Sequence, residues 1–209
     1  MNASEIYHQF QQGLYATSWP EGIAVIAGII SVWFSKKENI LVYPTGLINT
    51  ILYIYLSAKG ALYGEASVNL YYTVMSLYGW FQWNRKDTAQ HPLLQISFSN
   101  KNWIVLQCGF FLFFFILLLL ILQVLRIYFA EDVIPLADAF ASASAFTGMW
   151  LMTRKKVESW YWWILTNLIS IPLYFVKGYV VTSFYYLILL ILAFSGLISW
   201  KQKTSTLSS

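Results

Sequence analysis

The sequence predicts an all-α membrane protein of seven transmembrane helices, built as two parallel three-helix repeats around one linker helix (3+1+3). Three observations predict this. First, the 209-residue chain is 58% hydrophobic and 11% charged, whereas a soluble domain carries about 25% charged residues. Second, Ile104–Leu125 runs for 22 residues without a charge, enough to cross about 30 Å of hydrocarbon at about 1.5 Å per residue. Third, a unit of about 65 residues occurs twice. Asn49, Leu47, Tyr43 and Lys59-Gly60 recur as Asn167, Leu165, Tyr161 and Lys177-Gly178, each 118 positions on, while Trp33, Gly79 and Trp83 recur as Trp150, Gly196 and Trp200 at 117.

The first 18 residues hold no Lys or Arg and no apolar run. They read as a short amphipathic or loose segment and not as a signal peptide. Seven apolar segments follow: Glu21–Ser35, Ile40–Ala58, Leu62–Trp83, Trp103–Leu125, Ile134–Thr153, Trp160–Val176 and Tyr179–Trp200. Pro20 and Pro135 sit where a helix can begin without losing a hydrogen bond. Lys59-Gly60 and Lys177-Gly178 are expected to break the chain tightly, with glycine supplying the helix C-terminal cap. The chain is thus expected to form a single membrane domain over residues 1–209, with repeat one at 19–86, the linker helix at 103–125 and repeat two at 134–203. The linker segment has no counterpart in the repeat. An odd helix between two three-helix units restores their orientation, so the units should be parallel.

Ten basic residues fall in one set of loops (Lys36, Lys37, Arg85, Lys86, Lys101, Arg154, Lys155, Lys156, Lys201 and Lys203) against three in the other (Lys59, Arg126 and Lys177). Lys and Arg concentrate on the cytoplasmic side, so the N-terminus is expected outside and the C-terminus in the cytoplasm. The net charge of +4 lies in these loops and implies contact with membrane lipid, not nucleic acid.

Composition also excludes several activities. No carboxylate sits in mid-span, which favours a facilitator over an ion-coupled pump. There is no Gly-rich phosphate loop, no Ser–His pair at membrane depth and no central pair of aspartates, so an intramembrane enzyme is not expected. The lone cysteine, Cys108, excludes an intrachain disulfide and a cysteine-based metal cluster; it reads as space-filling in a Phe/Leu-rich run. No cofactor is implied.

Internal repeats in membrane proteins accompany transport, with the substrate at the repeat interface. The polar groups inside the spans are amides and hydroxyls, among them Asn49, Asn69 and Asn167. An Asn cannot satisfy all its donors and acceptors within its own helix. Asn49 and Asn167 therefore read either as a symmetric interhelical hydrogen bond or as cavity contacts, with Asn167 the stronger ligand candidate and Asn49 the stronger structural one. Trp19, Trp33, Trp103, Trp150 and Trp200 suit interfacial belts. Trp163, one helical turn before Asn167, and Tyr72, close to one turn after Asn69, fit a binding site better. Pro172 should kink its helix beside a cavity. The sum is a pocket with aromatic walls and amide hydrogen bonds, suited to a flat, hydroxylated ligand, with cation–π contacts for a cationic ring.

The stretch Met152-Thr153-Arg154-Lys155-Lys156-Val157-Glu158-Ser159-Trp160 followed by Trp163-x-x-x-Asn167, with Gly46-Leu47-Ile48-Asn49 and Leu77-Tyr78-Gly79-Trp80-Phe81-Gln82-Trp83, resembles the PnuC family of vitamin transporters over about Trp19 to Lys201. The resemblance implies a SWEET-like 3+1+3 fold and a homotrimer with one pathway per protomer. It also implies facilitated diffusion of nicotinamide riboside across the bacterial inner membrane, trapped inside by phosphorylation. Its site residues would be Trp163, Asn167, Asn69, Tyr72 and Asn49. Where this chain has Asn69, riboside carriers of the family have Gln, and the run Asn69-Leu70-Tyr71-Tyr72 is compatible with the family's thiamine branch. The alternatives are therefore a thiamine transporter and, from another class, an accessory or structural membrane protein without a substrate.

Overall fold

A computed structural model describes residues 3–60, 63–88, 90–128 and 134–207. It is all-helical over these residues, with α1 (Ala3–Ala16), α2 (Trp19–Lys36), α3 (Val42–Lys59), α4 (Tyr63–Asn84), α5 (Lys101–Tyr128), α6 (Pro135–Thr153), α7 (Ser159–Val176) and α8 (Val180–Leu207). The expected start of the third segment, Leu62, lies outside the described residues. The N-terminal segment is a helix, α1, set at 106° to α2. It lies against α8, with Phe10 edge-on to Phe184 at 5.5 Å. Pro20 and Pro135 occupy the first turns of α2 and α6. Gly178 takes the left-handed backbone expected of a helix stop (φ 81°). Gly60 does not: its φ is −84°.

α2 packs on α3 and α8, and α4 on α3 and α6; α6 also packs on α7 and α5, and α7 on α8. Hydrogen bonds and close contacts give the register between α2–α4 and α6–α8, and it is 117. Trp83 Nε1 donates to Met152 O at 3.2 Å, and Trp200 Nε1 donates to Ser35 O at 3.1 Å. Gly79 is pressed by the Tyr43 ring and Gly196 by the Trp160 ring. Each pair is the other moved on by 117. This corrects the pairing of Tyr43 with Tyr161. Tyr43 corresponds to Trp160, both almost fully buried, while Tyr161 is 44% exposed. It also corrects the pairing of Asn49 with Asn167. Asn49 donates to Ala24 O at 2.7 Å and Thr166 to Ala141 O at 3.5 Å, so Asn49 corresponds to Thr166 and Asn167 to Thr50. One residue is about 100° around a helix, so the two asparagines do not face equivalent directions.

Within a bilayer, helices associate through close packing and interhelical hydrogen bonds, because lipid is as apolar as they are. α6 shows why small residues serve this. Ala139, Ala141, Ala143, Ser144, Ala145 and Gly148 are all buried against its neighbours. α5 and α8 are long and apolar enough to cross a membrane by length and composition alone. α5 packs on α6 and otherwise turns its aliphatic face outward, with Val105, Phe113 and Ile127 exposed. Cys108 is exposed on the same helix rather than filling space in a core.

The largest buried cluster joins Tyr43, Trp83, Ile96, Met152, Val157, Trp160 and Trp200 at the end of the bundle that carries the basic loops. Trp200, expected in an interfacial belt, is fully buried there. Trp33 does lie at the surface, with Lys37 Nζ 3.7 Å over its ring. The loop before α5 is tied to the α6–α7 turn: Ser97 N donates to Lys155 O, Val157 N to Ser97 O, and Ser99 binds Glu158 through both N and Oγ at 2.9 Å.

Candidate functional site

Trp163 and Asn167 lie one turn apart on the inward side of α7, where they are followed by Ser170 and Tyr174. Trp163 can turn inward because Gly148 on α6 leaves room. A Cβ at Gly148 would stand 3.3 Å from the indole. Across from it on α4, the Tyr72 ring centre is 6.3 Å from that of Trp163, and Phe146 on α6 lies 6.0 Å from Tyr72, edge-on. Phe146 is held in turn by Tyr71, whose ring lies 4.1 Å away and whose hydroxyl donates to Phe146 O at 3.0 Å. Three aromatic rings from α4, α6 and α7 thus form one wall.

Asn167 is 3% exposed, and its side-chain amide makes no hydrogen bond to another described residue. A buried amide without a protein partner needs water or a ligand to complete it. Asn69, 8% exposed, donates to Glu65 O at 3.0 Å, one turn back on its own helix. That leaves its amide oxygen free among the described residues. Asn49 is turned the other way, fixed by its bond to Ala24 O. The notebook-order ranking of the two asparagines by role therefore has a geometric basis: Asn49 is committed to α2, and Asn167 is not committed to any helix.

Sequence reasoning missed the tyrosines that extend the site. Tyr72 neighbours Tyr185 and Tyr186 of α8, Tyr185 neighbours Tyr53 of α3, and the Tyr186 hydroxyl meets those of Ser170 and Tyr174. Tyr174 and Tyr186 stack at 5.2 Å. The available signal was the Tyr185-Tyr186 pair inside an apolar segment, too far from either end for a belt. Phe146 gave no signal, being one aromatic in an Ala/Ser-rich helix. Pro172 is exposed on α7, which runs on to Val176, so it does not line the site. A separate cavity of about 210 Å³ between α1, the start of α2 and the α7–α8 turn is lined by Gln9, Glu21 and Tyr179 among others, and holds none of the five predicted residues.

The corrected register explains the asymmetry of the site. The position matching Trp163 is Gly46, not Thr45, and the one matching Gly148 is Ser31. Gly46 and Ser31 are themselves neighbours, the Ser31 hydroxyl lying 3.1 Å from a Cβ at Gly46. A bulky ring therefore enters from one half while the matching place in the other half is small.

An all-helical, strongly apolar chain with such an interior defines a multi-pass membrane transporter of small molecules. A profile of the nicotinamide mononucleotide transporter family matches residues 18–202. Over 208 residues the chain is 28% identical to the nicotinamide riboside transporter PnuC of Escherichia coli (strain K12), covering 90% of this chain and 87% of that protein. It is 25% identical to the riboflavin/roseoflavin transporter RibM of Streptomyces davaonensis over 199 residues, 94% of this chain and 90% of that one. The crystal structure of a vitamin B3 transporter PnuC shares the fold with a TM-score of 0.70 at 22% identity, covering 94% of this chain and 87% of that one. The chain belongs to the PnuC family, and it is a vitamin transporter rather than an enzyme.

Proposed function

We propose that this protein carries nicotinamide riboside across the bacterial inner membrane by facilitated diffusion, with phosphorylation inside the cell trapping the product. The observation that carries this is the placement of Trp163 and Tyr72, 6.3 Å apart on facing helices, beside the unpartnered buried amide of Asn167. A cationic pyridinium ring gains from aromatic faces, each cation–π contact contributing about 0.5–2 kcal/mol. The ribose offers hydroxyls to Asn167 and Asn69. The name of the Escherichia coli relative supports the same substrate.

The chain is one membrane domain with seven spans, α2 to α8, in a SWEET-like 3+1+3 order. The 117-residue register of hydrogen bonds supports the parallel repeat. The basic end faces the cytoplasm, which places the N-terminus outside. The protein works as a homotrimer, and its apolar α5 faces lipid or a neighbouring subunit.

Titration of the purified protein with nicotinamide riboside, thiamine and riboflavin tests the substrate. Micromolar binding of the riboside and none of the other two is expected. Binding of thiamine alone would move the protein to the thiamine branch. Binding of riboflavin alone would align it with the Streptomyces relative.

A further inference from the structure

Gly28 of α2 is where two polar atoms from other helices converge. A Cβ built there would lie 2.4 Å from the Tyr185 hydroxyl of α8 and 2.9 Å from Asn49 Nδ2 of α3. Only glycine admits both. Asn49 Nδ2 is already engaged by Ala24 O, which fixes the plane of the amide and leaves Oδ1 as a free acceptor among the described residues. The Tyr185 hydroxyl makes no hydrogen bond to a described residue, although its ring lies deep among the helices beside Tyr53, Tyr72 and Tyr186. One donor and one acceptor, both fixed and both without a protein partner, match a hydroxyl group, which accepts from one and donates to the other. The matching positions in the other half are Ala145, Thr166 and Val68, which cannot build the same pair. The feature exists once, as an asymmetric ligand requires.

We propose that the Tyr185 hydroxyl and Asn49 Oδ1, admitted by Gly28, bind a sugar hydroxyl of the substrate and so select ribosides over the bare ring. This deepens the proposed function and rests on it. Binding to the full-length protein is measured for two probes, nicotinamide riboside by titration and 1-methylnicotinamide, which keeps the cationic ring without the sugar, by displacement. Tyr185→Phe is expected to weaken riboside binding about 3- to 10-fold and to leave 1-methylnicotinamide and the melting temperature unchanged. Gly28→Ala, which pushes the hydroxyl aside, is expected to act in the same direction. Trp163→Ala, in contrast, should weaken both probes. If the wild type binds the riboside and Tyr185→Phe binds it equally, the inference is overturned and the transport reading stands. Equal losses for both probes also overturn it, because the effect would then not be read from the sugar. If the wild type binds no riboside, the transport reading fails and takes this inference with it.

Discussion

At the scale of the residue, Trp163 and Asn167 carry the heaviest expectations. Replacing Trp163 with Ala removes one face of the ring site and should weaken ligand binding by about 1–3 kcal/mol, read by calorimetry. Asn167→Ala and Asn49→Ala should separate in a different way. Asn167 has no protein partner to lose, so its variant should keep its melting temperature and lose affinity. Asn49→Ala breaks the bond to Ala24 O and should lose stability, by about 0.5–1.5 kcal/mol, as well as affinity. Equal melting temperatures for the two variants would contradict this division. The chemistry of these residues was legible in the sequence because an amide or a mid-span aromatic stands out in an apolar segment. Their facing was not. Offsets of 117 and 118 both occur among matching letters, and a one-residue choice rotates a side chain by about 100°. Only the contacts of Tyr43, Trp160, Ser35 and Met152 decide between them.

At the scale of the element, the seven apolar segments of the sequence each match one of α2 to α8 to within a few residues, because an apolar run with proline at its start and a glycine or basic residue at its end leaves few other solutions. α1 was harder to read: it is short and only mildly amphipathic, and its place is set by contact with α8. The glycines give the sharpest test of helix packing. Gly79 and Gly196 lie under the rings of Tyr43 and Trp160, with a built Cβ 2.5 and 2.4 Å from the nearest ring atom. Ala at either position should destabilise by about 1–3 kcal/mol. Gly109→Ala on α5, with nothing within 4 Å, should be neutral or slightly stabilising, since Ala is the better helix former. Thermal unfolding in detergent measures all three. A Gly196→Ala protein as stable as wild type would mean that α8 does not pack on Trp160 as described.

At the scale of the whole molecule, the two halves are joined at the basic end by charge. Glu38 and Lys155 occupy matching positions, 117 apart, and both hold left-handed backbone (φ 60° and 52°). Their side chains pair at 2.8 Å, and Lys203 joins Glu38 at 2.9 Å. Lys155 Nζ also lies 4.7 Å over the Trp83 ring. Burial opposes ionisation of Glu38, but the two lysines outweigh it and hold its pKa below the usual carboxylate range. A carboxylate with a depressed folded-state pKa contributes stability above its unfolded pKa and loses it as the pH falls through the folded value. Glu38→Gln should therefore melt below wild type at neutral pH, by about 1–2 kcal/mol for so partly exposed a pair, and the gap should close only in acid. The exchange Glu38→Lys with Lys155→Glu should recover part of the loss. Failure of the double exchange to improve on Glu38→Lys alone would remove the pair from the interface. None of this was legible in the sequence, where Lys36-Lys37 matched Arg154-Lys155 and Glu38 had no evident partner.

The central claim is passive carriage of nicotinamide riboside through a site walled by Trp163 and Tyr72. Its most direct test is uptake of labelled riboside by proteoliposomes containing the purified protein, with and without an imposed proton or sodium gradient. The account predicts equilibration of the label to equal concentrations on both sides, unaffected by either gradient and slowed in Trp163→Ala. Accumulation above the external concentration driven by a gradient, or no protein-dependent uptake at all, would contradict it.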